Sequence, residues 1–549
     1  MEINSATAQF PFPYHRRIPK LVGVLVFYWL FVPLFFMGGT YVGSLHEITA
    51  STGELMENFQ LINLCAYIGM ALVFPIMMPY LHTRNIRLVY VVGFLILAAL
   101  NLICARLDTP ISMLVCAIGM GIVRMFIVLN TTFAMSTYFT GMPVVNFFSL
   151  REMPAPEIQY RMDHMRAWFF PCLYGYIFCI VQLGNFFSSW VATDLNWSDY
   201  YYLVAGMMIF TAVLMYFIMP AYQSEGKYHI PFSRLVDMLL GAMALTSFCY
   251  VMFFGKSYDW FESDYIRIAV IVGLIAGAGF ILLQLNAGEH RYLELGIFRY
   301  RNTWIGILIF MLVMLVNIPS QLFIGSFAKL GSASGNLEAM ALMKYAIYGC
   351  LLGVVVSLVM IIKRMKFSTI FILGFLLMTA SNIYMYFQYQ TETNIPNLRW
   401  PMMLNYMGWI MPYAVVCAHG MKNLPSKYLP TWLFLIVAVR NVIAPTIGTS
   451  TYSNWLQERQ QFHISEIAAN LDVTNSVAVN TFGQTAKMAK YQGCDELEAN
   501  KLATTTLSAK SYKQATIVAM KDITATTIWL CLGCTFICLI LPYHRNERT

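Results

Sequence analysis

The sequence predicts an all-α polytopic membrane protein. Of its 549 residues, 58% are hydrophobic and only 11% are charged, and the mean hydropathy is +0.61. A soluble domain carries roughly 25% charged residues, so this chain cannot cover a soluble globule of its size. Apolar runs of about twenty residues recur, the length that a membrane-spanning helix needs, whereas the strands of a membrane β-barrel alternate apolar and polar residues. This composition excludes a soluble enzyme, a nucleic-acid-binding protein and a disordered protein.

Fourteen apolar stretches are long enough to be spans, and an even number places both termini on the same side of the membrane. Each is predicted to be a helix, because only helices and closed barrels satisfy their backbone hydrogen bonds inside a bilayer. In order, the predicted spans are 21–43, 58–78, 88–106, 111–138, 167–190, 200–219, 235–254, 266–286, 303–325, 339–362, 368–388, 401–421, 430–450 and 524–542.

The charges in the loops support this arrangement. With the N-terminus inside, the inner loops and tails contain 20 Lys and Arg residues and the short outer loops contain five. Lys and Arg collect on the cytoplasmic side of membrane proteins, and a single missed span would invert every later loop. We therefore predict a multi-pass membrane protein with both termini in the cytoplasm. The net charge of +8 then requires no nucleic-acid partner.

Two polar segments interrupt the apolar pattern. Residues 451–523, predicted to lie outside, are rich in Ala, Thr and Lys and contain no Pro. They predict polar helices that extend the two flanking spans. This segment is either a docking surface or a lid, and its size favours docking. Residues 141–166, predicted to lie inside, mix Pro with charged residues and predict an interfacial amphipathic helix.

The chain contains none of the common catalytic motifs. It lacks HExxH, GxSxG and the phosphate-binding GxxxxGK[ST] pattern. We therefore predict no enzyme, no metal site and no cofactor. Without a nucleotide-binding loop, a transport activity would take its energy from an ion gradient or from a partner.

Ionisable residues inside spans are costly and are candidates for function. Arg124 lies deep in the fourth span, and Asn130 follows it by about two turns, so both are predicted to line a polar cavity. A structural role for Arg124, in which it only holds neighbouring helices together, is an equal alternative. Arg440 and Asn441 lie deep in the thirteenth span, just before a Pro that predicts a kink. Asp237, near the inner end of the seventh span, is the acid closest to a membrane-embedded helix face.

Several motifs resemble those of the major facilitator superfamily, in its fourteen-span drug:proton antiporter branch of EmrB/QacA type. The segment Val439 to His463, with its Arg, Pro and Gly followed by a long outer loop, is similar to the thirteenth span of EmrB-like members. Shorter likenesses occur before the ninth span (Leu295 to Asn302), before the sixth (Trp197 to Tyr201), between the seventh and eighth (Asp259 to Phe261), and between the second and third (Leu81, Arg84 and Arg87).

This resemblance implies an organisation of six, two and six spans. Residues 1–20 would form a cytoplasmic tail, 21–219 the N-terminal bundle, 220–302 a linker with two extra spans, 303–543 the C-terminal bundle, and 544–549 a second tail. Substrate would bind near the midplane between bundles that open alternately to each side. Arg124, Asn130, Arg440 and Asn441 are the candidates for the cavity or its gating, and Asp237 is the candidate for proton coupling. The cytoplasmic gate would contain Arg84, Arg87, Arg299 and Arg301.

The resemblance implies a location in the bacterial inner membrane. The implied activity is export of hydrophobic or amphipathic small molecules, as in multidrug efflux, in exchange for protons. EmrB-like members work with a periplasmic adaptor of the membrane-fusion (EmrA/HlyD) class and a TolC-type outer-membrane channel, and 451–523 would contact the adaptor. One alternative is a dedicated exporter of a single metabolite such as a fatty acid, bile acid or siderophore. Another is a membrane scaffold or receptor that does not transport, because the spans contain no acid near their middle.

Overall fold

The computed structural model describes residues 14, 18–80, 86–107, 109–140, 156–220, 232–288, 291–331, 335–390, 395–422, 424–471 and 475–541. Helices dominate this part of the chain. The long helices are α1 (Lys20–Phe36), α2 (Met56–Tyr80), α3 (Ile86–Cys104), α4 (Pro110–Thr140), α5 (Pro156–Asp194), α6 (Asp199–Ile218), α7 (Phe232–Phe254), α8 (Asp264–Asn286), α9 (Arg301–Gly331), α10 (Gly335–Ile362), α11 (Phe367–Gln388), α12 (Arg399–Met421), α13 (Leu429–Ala469), α14 (Ser476–Tyr491) and α15 (Glu496–Ile540). Short α-helices cover Thr40–Gly43 and Leu45–Thr52, and 3₁₀ turns cover Met37–Gly39, Trp260–Glu262, Leu295–Arg299, Ile395–Leu398 and Ser426–Tyr428.

Every predicted span coincides with a helix, and the prediction of an all-α polytopic membrane protein is confirmed. Among the described residues, 12 helices are long and apolar enough to cross a membrane. The other two predicted spans correspond to α1, whose apolar part Leu21–Phe36 is shorter, and to α12, which has 23 residues. The count of fourteen membrane crossings itself stays a prediction.

Two helices differ in extent from the predicted spans. The first span was expected to continue to residue 43, but α1 ends at Phe36 and the chain passes through a 3₁₀ turn at Met37–Gly39. Two adjacent glycines in this turn lower the stability of a regular helix. Conversely, α5 begins at Pro156 and runs 39 residues without a break. The described part of the predicted interfacial helix is thus continuous with the fifth span, and 141–155 lie outside the described residues.

Two bundles with related internal packing make up the fold. In the first bundle α2 packs on α4 and α3 packs on α6, and in the second α10 packs on α12 and α11 packs on α15. The pairs α2–α4 and α10–α12 approach closely at glycines. A Cβ atom at Gly121 would overlap the carbonyl oxygen of Ala66, and one at Gly349 would overlap that of Met403. Small residues at such contacts let helix backbones meet inside a membrane.

Helices α3 and α11 carry the same sequence pattern. Gly-Phe-Leu occurs at 93–95 and at 374–376, and an Asn follows at the same spacing in each helix, Asn101 and Asn382. The Nδ2 of Asn101 donates to the carbonyl oxygen of Leu97 at 2.8 Å and approaches the sulfur of Met208 on α6 at 3.6 Å. Asn382 makes the equivalent pair of contacts within α11 and with α15, at 2.9 and 3.7 Å. The two bundles are therefore internal repeats, as many transporter folds are.

The bundles meet along two lines of contact. On one side α2 packs against α13, and on the other α5 packs against α10 and α12. The hairpin of α7 and α8 lies on the first side, where α7 contacts both α2 and α13. Lys256, in the turn of this hairpin, donates to the carbonyl oxygen of Asn454 at 3.0 Å and pairs with Glu458 at 3.2 Å. Ser257 donates to Glu57 of the first bundle at 3.5 Å, so the turn is bonded to both bundles.

The polar segment 451–523 contains helices that extend its flanking spans, as the sequence predicts. α13 continues to Ala469, and α15 begins at Glu496 and runs 45 residues into the last span. α14 lies between them in the chain and packs on α15. At the base of this extension His463 of α13 contacts Asp522 of α15 through Nε2 at 2.8 Å. Together these helices form the helical extension of the second bundle.

Candidate functional site

Arg440 lies in a π-helical turn inside α13. The turn covers Val439–Ile443 and ends two residues before Pro445. Proline has no N–H and cannot donate to the carbonyl group four residues earlier, which disturbs an α-helix at this point. The N–H of Ala444 instead donates to the carbonyl oxygen of Val439, five residues back. The kink predicted from this sequence therefore takes the form of a π-turn, a feature that often marks functional positions in helices.

Aromatic rings from both bundles surround the guanidinium group of Arg440. Its Cζ atom lies 4.7 Å from the ring centre of Tyr174 on α5, 4.8 Å from that of Tyr413 on α12, and 6.0 Å from that of Phe310 on α9. The side chain is only 7% exposed. Cation–π contacts of this kind are worth up to about 2 kcal/mol each when desolvated. Since Tyr174 belongs to the first bundle and Arg440 to the second, the group lies at the interface between the bundles.

The polar contacts of Arg440 leave part of the guanidinium unused. Nε donates to Oδ1 of Asn441 at 3.1 Å, and Nη1 has no hydrogen-bond partner among the described residues. The Tyr174 hydroxyl and the Cys417 thiol lie in the same environment, and both are neutral groups. Asn441 thus orients Arg440, and the predicted role of both residues in the cavity or its gating stays a prediction.

Arg124, on α4 of the first bundle, is a second buried cation. It is 1% exposed, and its Cζ lies 4.6 Å from the ring centre of Phe35 on α1 and 5.9 Å from that of Tyr67 on α2. Its Nε has no partner in the described part of the chain. The contacts of Arg124 in the described residues are thus with α1 and α2 of its own bundle.

A row of aromatic and polar side chains continues from Tyr413 along α12. Trp409 stacks on Tyr413 with ring centres 4.1 Å apart, and Phe178 of α5 lies 5.2 Å from Trp409 and 5.0 Å from Tyr406. The Tyr406 hydroxyl accepts a hydrogen bond from Gln321 of α9 at 2.9 Å. The Nε1 of Trp409 is buried without a partner in the described residues. These positions were not predicted from the sequence, although 15% of its residues are aromatic.

Asn405, one turn before Trp409, adds an amide to the same region. Its Nδ2 donates to Oδ1 of Asn317 on α9 at 2.7 Å, and its own Oδ1 has no partner among the described residues. Asn130, by contrast, bonds within its own helix, because its Nδ2 donates to the carbonyl oxygen of Phe126 at 2.8 Å. The predicted role of Asn130 in the cavity stays a prediction.

Asp237 lies apart from the arginines, in α7. It is 3% exposed and neighbours Gln284 of α8 and Arg234. The Gln284 Oε1 accepts from the backbone N–H of Leu293 at 2.9 Å, and the Tyr292 hydroxyl donates to the backbone carbonyl of Leu72 on α2. This polar cluster anchors the α7–α8 hairpin to the first bundle, so proton coupling by Asp237 would act through that contact.

The structure describes three of the four arginines predicted for the cytoplasmic gate. The Arg87 guanidinium lies 4.0 Å from the ring centre of Tyr216 on α6, within its own bundle. Arg299 and Arg301 are exposed around the start of α9. Arg84 lies outside the described residues. The gate itself stays a prediction.

No family model and no curated protein sequence matches the chain, but solved structures do. A crystal structure of the peptide transporter POT in complex with sulfate is 12% identical, with 94% of each chain covered and a TM-score of 0.53. An auto-inhibited POT family peptide transporter is 13% identical, with 97% of this chain and 99% of the other covered and a TM-score of 0.50. The proton:xylose symporter XylE of the major facilitator superfamily is 12% identical, covers 94% of this chain and 95% of its own, and has a TM-score of 0.45.

At such low identities these likenesses establish the fold and nothing finer. The likeness to the two POT peptide transporters extends over nearly the whole chain. The related internal packing of the two bundles agrees with that architecture. The chain has the all-α, two-bundle membrane fold of major-facilitator-type transporters, with two additional helices between the bundles.

Proposed function

We propose that this protein is a secondary transporter of the inner membrane that exports hydrophobic or amphipathic small molecules by alternating access. The observation that carries the proposal is the buried Arg440, which lies among rings from both bundles and has an unpartnered donor. A group at this position changes its surroundings whenever the bundles move relative to each other. Substrate sites of this fold class lie near the midplane between repeats, where such a group is exposed to each side in turn.

Exchange for protons is the proposed energy source, and Asp237 is its candidate residue. The carboxyl group is buried beside Gln284 and near Arg234 in the α7–α8 hairpin. This hairpin contacts both α2 and α13. Loss of the negative charge would weaken the attraction to Arg234 and would change the contact between the hairpin and the bundles.

A periplasmic adaptor of the membrane-fusion class is the proposed partner, and it would lead to a TolC-type outer-membrane channel. The helical extension supports this because large apolar side chains beside the turn between α14 and α15 are exposed, with Tyr491 91% exposed and Leu497 79% exposed. Val477 and Met488 on α14 are also exposed. Exposed apolar residues on a polar extension are typical of a protein contact site.

Export is tested in a bacterial strain that lacks the gene, challenged with a panel of dyes, bile salts and detergents. We expect sensitivity that the intact gene reverses and that Arg440→Ala does not, although the variant protein inserts normally. Arg267→Ala is the matched control, since Arg267 is an exposed residue paired with Asp264 in the same helix. Sensitivity to a single compound would favour a dedicated exporter. Full export by Arg440→Ala would remove Arg440 from the site.

Transport itself is tested with purified protein in liposomes. Movement of a fluorescent amphiphile that depends on an imposed pH gradient, and that is lost in Asp237→Asn, is the expected result. Movement unaffected by the pH gradient would contradict proton exchange. No movement of any compound, with or without the adaptor, would favour a membrane scaffold or receptor instead.

A further inference from the structure

We infer that the substrates are organic anions, with an acidic group that binds Arg440 and an aromatic or apolar body that lies against the rings of α5 and α12. This inference rests on the proposed transport function and names its substrate class. The acidic group would be a carboxylate, sulfonate or sulfate, because each presents acceptor oxygens to a guanidinium group.

The first argument is charge balance. Arg124 and Arg440 are at least nine-tenths buried, and neither has an acidic partner among the described residues. The fourteen predicted spans contain a single acidic residue, Asp237, near the inner end of the seventh. A buried charge without a counter-charge is strongly unfavourable, and intramembrane arginines pair with other groups or with a ligand. An anionic substrate at Arg440 supplies the missing counter-charge of that residue, whereas a cationic substrate would be repelled by it.

The second argument is the set of unpartnered groups. Nη1 of Arg440, Nε of Arg124 and Nε1 of Trp409 are buried donors without partners in the described part of the chain. A guanidinium donates in its own plane, and rings already lie against Arg440. A ligand therefore reaches Arg440 through acceptor oxygens at the edge of the guanidinium group.

The third argument is the row of aromatic side chains beside Arg440. Tyr413, Trp409 and Phe178 form a continuous aromatic row with neighbouring ring centres 4.1 and 5.2 Å apart. Flat apolar surfaces of this kind bind the body of a ligand, while a few polar groups fix its orientation. The site is thus suited to an amphiphile with one acidic end.

The negative charge of such a substrate also provides a driving force for its export. Moving one negative charge outward across an inside-negative membrane is favoured about 50-fold for each 100 mV. Export of an organic anion therefore needs no acid at the midplane, which agrees with the composition of the spans.

Binding to purified full-length protein in a nonionic detergent tests the inference, measured by titration calorimetry. The probes are 1-naphthaleneacetate, its neutral amide 1-naphthaleneacetamide, and the cationic 1-naphthylethylamine, which share the ring system and differ in charge. Deoxycholate and laurate extend the test to other anionic bodies. We expect at least one anion to bind, and its binding to weaken about 10- to 150-fold in Arg440→Gln, the effect of losing a hydrogen bond to a charged group. Arg440→Lys retains the charge and should lose less, and Arg267→Gln should bind as the native protein does.

The inference is wrong if none of the three anions binds, if naphthylethylamine binds as tightly as naphthaleneacetate, or if Arg440→Gln binds the anion unchanged. Thermal unfolding of each variant shows that it is folded. Efflux of the same probes from liposomes, with the potential set by potassium and valinomycin, separates the two proposals. Anion binding without movement would retain the anion site and contradict transport. Movement of the cation or the amide that is independent of Arg440 would retain transport and contradict the anion site.

Discussion

Replacement of Arg440 by Met tests whether this arginine is kept for function or for stability. Methionine has a similar reach and packs well against rings, but it has no charge. The native guanidinium gains roughly 1–2 kcal/mol from each of the two close tyrosine rings. Its hydrogen bond to Asn441 adds about 1 kcal/mol. Opposing these gains is the cost of burying an uncompensated charge, which is several kcal/mol.

Replacing buried ionic groups by apolar ones of similar volume often stabilises a protein by about 1–4 kcal/mol. We therefore expect Arg440→Met to raise the unfolding temperature in detergent, or to leave it unchanged, and to abolish export. Arg440→Lys is the control, since it retains the charge and loses the planar stacking, and it should unfold at a lower temperature than the native protein. A marked loss of stability in Arg440→Met, together with normal anion binding, would refute the reasoning and make Arg440 a structural residue.

Three further predictions concern packing, the helical extension and pH. Gly121→Val should destabilise the protein by about 1–3 kcal/mol, measured by thermal unfolding, because its Cβ overlaps a backbone carbonyl of α2, whereas Gly206→Val meets nothing within 4 Å and should have little effect. Deletion of α14 should leave liposome transport intact and abolish export in cells, since only adaptor contact is lost; unchanged cellular export would contradict docking there. Lys490, 2.7 Å from the Glu496 carboxylate, lowers the pKa of that group. Their ion pair is present above the ordinary pKa of the acid and is lost as the pH falls through the lowered value. A spin label at Cys494 should therefore become more mobile in acid, but show no such change in Glu496→Gln.

The helices could be predicted from the sequence because lipid imposes a simple requirement on length and polarity. Each of the fourteen predicted spans coincides with a helix, and the polar segment 451–523 extends its neighbours as expected. The end of α1 and the start of α5 were harder to predict from the sequence. The end of α1 depends on a local glycine pair, and Pro156 begins a helix that continues through charged residues with no apolar signal.

Only part of the candidate site could be predicted from the sequence. Arg124 and Arg440 stand out because charged residues are rare in spans, and both are indeed buried. The rings around Arg440 come from helices far apart in the chain, and no local pattern joins Tyr174 to Tyr413. The matching Gly-Phe-Leu and Asn patterns of α3 and α11 were visible in the sequence and would have indicated the internal repeat. Periodicity within single spans does not detect a repeat between bundles.

The placement of the α7–α8 hairpin bears on how a lipid-dissolved compound arrives. On the side where α2 packs against α13, α7 contacts both helices. Lys256 forms a hydrogen bond to the second bundle there, and Ser257 forms one to the first. Compounds that diffuse within one leaflet of the bilayer meet the α7–α8 hairpin on this side. On the opposite side α5 packs on α10 and α12, and α5 carries Tyr174 and Phe178 of the aromatic site. For an exporter of lipid-dissolved compounds, we therefore expect entry beside α5 and α10 rather than beside the hairpin.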